Sequence, residues 1–330
     1  MRAGAGAALS AGRPGERTVR KRGETVEKEV FIKKVYSAMQ KELGEGYRLE
    51  LKEVVKNNGV VLHGLLIHSE GKNVVPTIYL DSFWEAYKSG QCFAAVIRQL
   101  LKVYREETPS KNIDMNFFQC FDKVKERICY RLIRQKGNEE LLLESPHIDF
   151  LDLALCFYYA YDGQIGEGAI RIKNSHAQRW GVKTADLVRL AEQNTARIFG
   201  WQCISMEDMI RESPDFDDTD ERLLEEAEKD GFLEYNPMKI LTNAKRVYGA
   251  VCMLYPGVLE KLSAKVQKSF YILPSSVHEV ILLPETGIET AGELRAMISD
   301  VNSTLVAPEE VLSDNLYYYD FKEKRVKIIY

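Results

Sequence analysis

The sequence predicts an α+β protein in which mixed, mostly antiparallel sheets carry packed helices. Three observations point there. Short runs rich in β-branched and aromatic residues are joined by tight-turn signals, of which Asn57-Asn58-Gly59 is the plainest. Between them stand helical stripes of apolar residues. The two kinds of element follow one another in irregular order, unlike the regular alternation that builds a doubly wound parallel sheet.

Val26, Val30, Phe31, Val35, Met39 and Leu43 fall on one helical stripe, which Gly44 closes. Residues 47–56 and 60–68 read as a hairpin, because Asn-Gly supplies the positive φ that a tight turn requires. A third strand is expected at 74–80. Ser82-Phe83-Trp84-Glu85 has the spacing of a capping box and predicts a helix that Gly90 ends. Another helix is expected over 93–106, where Pro109 prevents its continuation.

Residues 127–134 and 139–143 read as strands, and Pro146 marks the loop before 151–161. Apart from Asp152 that last run is apolar and aromatic, which suits a central strand buried on both faces. Asp162-Gly163 turns the chain into a returning strand at 169–173. A short helix ends near Gly181, and Thr184 caps a longer one with Leu187, Leu190, Ala191, Asn194 and Ile198 on one face.

Composition shifts at the acidic stretch from Asp215 to Glu221 and the polar helix ending near Gly231. The expected organisation is therefore a tail (1–25), an α+β region (26–212) and a second α+β region (213–330), the two regions either separate or packed as one unit. The second region reads as a strand at 238–241, a helix at 257–266 and a hairpin of 270–273 with 277–283. A helix at 293–301 then leads to a closing hairpin of 316–320 with 325–330.

With 45% apolar and 28% charged residues in 330, the chain can bury an ample core. A net charge of −4 argues against a protein whose main affinity is for nucleic acid, which requires clustered cations. The six cysteines are irregularly spaced and lack CxxC, as expected of reduced thiols in a cytoplasmic protein. Its longest apolar run, 150–161, contains Asp152 and is far short of the roughly twenty residues that span a bilayer, so no membrane partner is expected.

Residues 1–24 are rich in Ala, Gly and Arg and read as disordered. Two further readings stay open: a transit peptide, or a start-site artefact in which Arg20-Lys21-Arg22-Gly23-Glu24 reflects a ribosome-binding site and Val26 a GTG start. The basic cluster of Arg17, Arg20, Lys21 and Arg22 would fall with the tail.

Ser275, Ser276, His278 and Glu279 offer the residue types of a nucleophile, a base and an orienting carboxylate. On a strand, however, His278 and Glu279 project to opposite faces, so a structural turn is the preferred reading. His63 and His68 are five apart and likewise face opposite ways. His147 beside Pro146, and His176 after Asn174-Ser175, read as loop or capping residues. No metal site or cofactor is expected. The oxygen-rich run from Asp215 to Glu226 lacks the glycine of a calcium loop, since Asp220 stands at its sixth position. Gly163 to Gly168 is glycine-rich, but a strand follows it instead of a helix N-terminus, so it reads as a hairpin loop rather than a phosphate cradle.

The strings LTNAKRVYGAVCMLYPGVLEKL, YILPSSVHEVILLP, APEEVLSDNLYYYD and NSHAQRWGV, with PTIYLDSFWEAYKSG and SPHIDFLDLALCFYY, resemble a bacterial family known only as a domain of unknown function. The resemblance covers the chain from about Val26 to its end. It implies a bacterial cytosolic protein and carries over no catalytic residue, ligand or partner.

The functional expectation is a noncatalytic binding or interaction protein. Aromatics suggest a protein partner, with Trp84, Tyr87, Tyr317 and Tyr319 as the surface that would meet it. The alternative is a hydrolase-like enzyme using Ser276 with His278 or His176.

Overall fold

The computed structural model describes residues 14–73, 75–108, 115–163, 166–212, 222, 238–274, 276–287 and 290–330. It divides into two compact units, Met1–Val55 with Val61–Ile113, and Lys56–Val60 with Asp114–Tyr330. Helices and antiparallel sheets alternate irregularly along it, so the α+β class read from the sequence is the class of the fold.

In the first unit, helix α1 (Pro14–Leu43) extends upstream of the expected start at Val26, with proline at the helix's first position, where its missing N–H costs nothing. The first thirteen residues of the expected tail lie outside the described residues. Strands β1 (Tyr47–Val55) and β2 (Val61–Ser69) pair antiparallel from Tyr47↔Ser69 to Val55↔Val61, and β3 (Thr77–Tyr79) adds to β2. The intervening turn places Asn58 at φ 61° and Gly59 at φ 70°, as Asn-Gly requires.

Helix α2 (Leu80–Lys88) begins two residues before the expected capping box at Ser82. Asp81 in its first turn accepts hydrogen bonds from Lys28 Nζ and from the His63 backbone N–H, both at 2.7 Å. Burial disfavours the Asp81 carboxylate, but these bonds outweigh it and hold the pKa below the ordinary value. Helix α3 (Phe93–Glu107) follows. Val35, Met39, Leu65, Ile67, Leu80 and Leu100 fill the core between helices and sheet.

The second unit begins with the short α4 (Phe121–Val124) and strand β4 (Ile128–Arg134). The segment expected as a strand at 139–143 is helix α5 (Glu139–Leu143). Its three consecutive leucines have no strand alternation, and Glu139 and Glu140 stand in the first turn, where acidic residues suit the helix dipole. Strands β5 (His147–Phe150), β6 (Leu153–Gly163) and β7 (Gly166–Arg171) complete a four-stranded sheet. Strand β6 pairs with β4 along one edge and with β5 and then β7 along the other, and every residue from Leu153 to Ala160 is buried. It is the central, doubly covered strand that its apolar sequence demands.

Helices α6 (Asn174–Trp180) and α7 (Thr184–Phe199) come next, followed by β8 (Gln202–Ser205) and α8 (Met206–Arg211). Beyond the acidic segment stand β9 (Lys239–Thr242), α9 (Val258–Val266), β10 (Phe270–Leu273), β11 (Val280–Pro284), α10 (Ala291–Thr304), β12 (Leu316–Asp320) and β13 (Arg325–Ile329). Six of these strands form one antiparallel sheet in the order β13-β12-β10-β11-β9-β8.

The pairing of β8 with β9 accounts for a difference from the expected boundary at 213. Gln202↔Thr242 to Ser205↔Lys239 join the chain on both sides of that position into one sheet, and the units part near residue 113 instead. The acidic stretch at 215–221, the polar helix expected after it and the oxygen-rich run from 215 to 226 lie outside the described residues, Arg222 excepted. One apolar core links both sheets of this unit through Phe157, Leu187, Ala191, Leu282 and Tyr317. No helix among the described residues is long and apolar enough to cross a membrane.

Candidate functional site

Side chains alternate along a strand, so one face of the four-stranded sheet carries Cys129 and Arg131 of β4, Tyr158 and Ala160 of β6, and Ala169 of β7. The registers Cys129↔Tyr158 and Ala160↔Ala169 bring them together. Arg127 enters from just before β4, where its Nε donates to Ala160 O at 2.6 Å. The end of α7 supplies Ile198 and Phe199, which pack against Cys129, Tyr158 and Ala160.

The loop from Asn243 to Gly249 closes this face. Asn243 is buried and organises the turn. Its Oδ1 accepts from the N–H groups of Lys245 (3.0 Å) and Val247 (3.3 Å), and its Nδ2 donates to Val247 O at 2.8 Å. Gly249 admits no side chain: a Cβ there would lie 2.5 Å from His278 O and 2.7 Å from Asn243 N, and would also strike Thr242 Oγ1. Tyr248 sits in the left-handed region at φ 54°, a conformation that a bulky residue keeps only when its surroundings hold it. Here the holding groups are identifiable. The Tyr248 N–H donates to His278 Nδ1, the two rings stack, the Arg131 guanidinium lies 4.6 Å from the Tyr248 ring centre, and Tyr158 meets that ring edge-to-face at 5.5 Å.

These elements line an open-sided cavity of about 500 Å³. Tyr158, Phe199 and Tyr248 give it aromatic walls, and Ala160, Ala169, Ile198 and Val247 supply aliphatic surface. Arg127 and Lys245 are the charged groups among the described lining residues, and no carboxylate is among them. Burial pushes the Tyr158 hydroxyl well above the ordinary tyrosine range, with Cys129 and Tyr248 adding to the shift and Arg131 opposing it, so the phenol stays neutral. Behind Tyr158 and Ala160, burial pushes the Cys129 thiol up to about 12, so at neutral pH it is protonated and not a nucleophile.

The serine, histidine and glutamate singled out from the sequence lie at the start of β11, and the strand geometry expected for them is not what the structure has. The strand begins at Val280, so Ser276–Glu279 is a turn; the Val277 N–H bonds to Glu310 O at 2.9 Å, and Ser276 bridges to Val311. Within it the His278 N–H donates to Ser276 Oγ at 3.0 Å, and the Ser276 hydroxyl also bonds the Glu279 carboxyl. The imidazole turns elsewhere, with Nδ1 accepting from Tyr248 N–H and Nε2 3.3 Å from Glu310 Oε1. Burial raises the pKa of Glu279 above the ordinary range, against the Ser276 bond and the pull of His278. Ser275 lies outside the described residues.

His176 is bound up in α6, where its Nδ1 accepts from the Lys173 N–H and its ring packs edge-on against Phe118. The aromatic surface expected at Trp84, Tyr87, Tyr317 and Tyr319 is corrected: Trp84 (5% exposed), Tyr317 (0%) and Tyr319 (3%) are core residues, and Tyr87 alone of the four reaches solvent. Their apolar area is worth more buried than displayed. Among the described residues no group of three or more His, Cys, Asp and Glu is placed to hold a metal ion.

Sequence reasoning missed Arg127, Lys245 and Tyr248. A signal existed in Asn243-Ala244-Lys245-Arg246-Val247-Tyr248-Gly249, where an asparagine and a glycine bracket two cations and a tyrosine. Fold and cavity together define an α+β protein with an aromatic, cation-bearing chamber between a buried sheet and a closing loop. Residues 28–321 match the model of a family described as Family of unknown function (DUF5688), and the chain belongs to that family. Neither the curated proteins nor the solved structures provide a match.

Proposed function

We propose that the protein is a noncatalytic binding protein of the bacterial cytosol, and that the cavity between β4, β6, β7 and the Asn243–Gly249 loop receives its ligand. The observation that carries this is convergence: aromatic walls and two cations from four separate segments face one concave volume of about 500 Å³, within the range of small-molecule sites. The buried, raised thiol and phenol supply no nucleophile there.

The hydrolase reading has less support. Ser276 Oγ is occupied by the His278 N–H and Glu279, and the imidazole bonds to Tyr248 and faces Glu310.

The test is titration of the full chain with anilinonaphthalene sulfonate, a fluorescent probe of apolar cavities. One saturable site per chain is expected, lost in Ala169→Trp, which fills the cavity from β7. Should that variant melt early, Val247→Trp blocks the same space from the exposed loop. Saturation unchanged in a folded blocking variant, or no saturable site in the wild type, would overturn the reading.

A further inference from the structure

We infer that His278 is a proton-operated latch on the Asn243–Gly249 loop: neutral, its imidazole holds the backbone of Tyr248 in place at the cavity wall, and protonated, it lets that backbone go. The inference goes beyond the binding reading, since the loop lines the cavity whatever occupies it. Tautomer and geometry carry it. Nδ1 accepts from the Tyr248 N–H at 3.3 Å, which needs a lone pair there, so the neutral ring keeps its proton on Nε2, 3.3 Å from Glu310 Oε1. A second proton can enter only at Nδ1, where it meets the Tyr248 N–H. One hydrogen bond is then replaced by two opposed donors.

What yields is the loop and not the turn that carries His278. The His278 carbonyl accepts from Thr242 Oγ1 at 2.8 Å, Val277 O accepts from the Ala250 N–H at 3.3 Å, and the Val277 N–H donates to Glu310 O at 2.9 Å, so the turn is anchored on both sides. The loop keeps two non-glycine residues at positive φ, Arg246 at 53° and Tyr248 at 54°, a conformation that relaxes once its holding bonds are lost. The charges around the ring point the same way. Glu310 faces Nε2 and Glu279 follows in the turn, and both favour the imidazolium. On the Tyr248 side stand Arg131, laid over that ring, and the loop's own Lys245 and Arg246, the last of which pairs with Glu212 and also acts on Glu279. Glu310 therefore holds the charged ring from Nε2, away from Tyr248.

The test is nuclear magnetic resonance on the full chain with isotope-labelled histidine and tyrosine, titrated from about pH 8 to 5, the span over which histidine changes charge. The His278 ring should carry a proton on Nε2 alone at the upper end and on both nitrogens at the lower, and hydrogen-exchange protection of the Tyr248 amide should fall at least about tenfold with the same midpoint. His278→Asn sets an amide oxygen near the place of Nδ1 and takes up no proton, so protection there should stay within about twofold across the range. Should that variant not fold, Glu310→Gln serves in its place and should move the midpoint to lower pH. Protection that stays constant while the ring charges, a ring that stays neutral throughout, an undiminished fall in His278→Asn, or an unmoved midpoint in Glu310→Gln would overturn the latch. None of these measurements requires a ligand, so failure of the latch leaves the cavity reading standing, and failure of the saturable probe site leaves the latch standing.

Discussion

His278 presents Nδ1 to the backbone N–H of Tyr248 at 3.3 Å, and its ring lies 5.9 Å from the Tyr248 ring at an interplanar angle of 10°. The histidine whose backbone N–H bonds the Ser276 hydroxyl thus shapes a cavity wall. It satisfies the N–H of a residue held at positive φ and braces the ring that residue carries. A nitrogen engaged in this way cannot also accept a proton from Ser276 without releasing Tyr248.

Replacing that histidine separates its two contributions. His278→Phe keeps a flat ring beside Tyr248 but leaves the Tyr248 N–H without its acceptor, at a cost of about 1 kcal/mol. His278→Ala removes ring and acceptor together and should cost more. Urea unfolding midpoints give the comparison, and equal stability of wild type and both variants would show that Tyr248 is held by other groups. Probe affinity should fall in the same order, because the aromatic wall loses its support.

Asp152 predicts a larger effect. Its carboxylate accepts from Ser313 Oγ at 2.6 Å, from Asn315 Nδ2 at 3.0 Å and from the fully buried Tyr317 hydroxyl, joining the β5–β6 turn to the six-stranded sheet. Asp152→Asn turns an acceptor oxygen into a donor facing donors, which should cost about 2 to 3 kcal/mol. Tyr317→Phe should cost roughly 1 to 2 kcal/mol. The double variant should fall short of the sum, since both changes strike one network. Strict additivity in chemical denaturation would sink the idea that the groups act as a unit.

Two carboxylates give the stability a pH dependence of opposite sign at its two ends. Asp81 has a lowered pKa, burial being outweighed by the Lys28 and His63 bonds. Its contribution is present above the unfolded value of 3.8 and is lost as pH falls through the folded one. Glu279 has a raised pKa, chiefly from burial. Its contribution is complete below the unfolded 4.5 and lost as pH rises through the folded value. Asp81→Asn should therefore flatten the acid limb of the stability profile. Glu279→Gln should gain on the wild type as pH rises above 4.5, and a constant difference across that range would contradict the Glu279 assignment.

Most elements were legible because local chemistry decided them. The Asn57-Asn58-Gly59 turn, the unbroken apolar run of β6 and the glycine ending α6 each leave one sensible local conformation. Failures came where a distant partner decided. The start of α2 is set by Asp81 reaching Lys28 and His63, so the capping spacing at Ser82 goes unused. The start of β11 is set by Glu310 and Val311, more than thirty residues away in the chain, so a strand-based argument about His278 and Glu279 had no strand beneath it. The cavity was illegible for the same reason. Arg127, Tyr158, Phe199 and Tyr248 come from four separate segments, and only the sheet register and the loop around Asn243 bring them to one place.

Cysteine reactivity tests the packing of that region without any substitution. Cys92 and Cys120 are exposed, whereas Cys129, Cys156 and Cys252 are buried, and burial pushes their thiols up to about 12, 11 and 12. Cys203 is half-buried with a raised pKa, again from burial. A thiolate is the reacting species, so at Cys129, Cys156, Cys203 and Cys252 burial and the raised pKa act in the same direction. Ellman's reagent on the native protein at mildly alkaline pH should modify Cys92 and Cys120 fast and Cys203 slowly. The other three should react only when urea opens the fold. Cys92→Ser with Cys120→Ser should abolish the fast phase, and a remaining fast phase traced by peptide mapping to Cys129 would mean that the face behind Tyr158 is open to solvent. Because Cys129 packs directly against Tyr158 and Ala160, that result would also undo the closed aromatic floor from which the cavity argument starts.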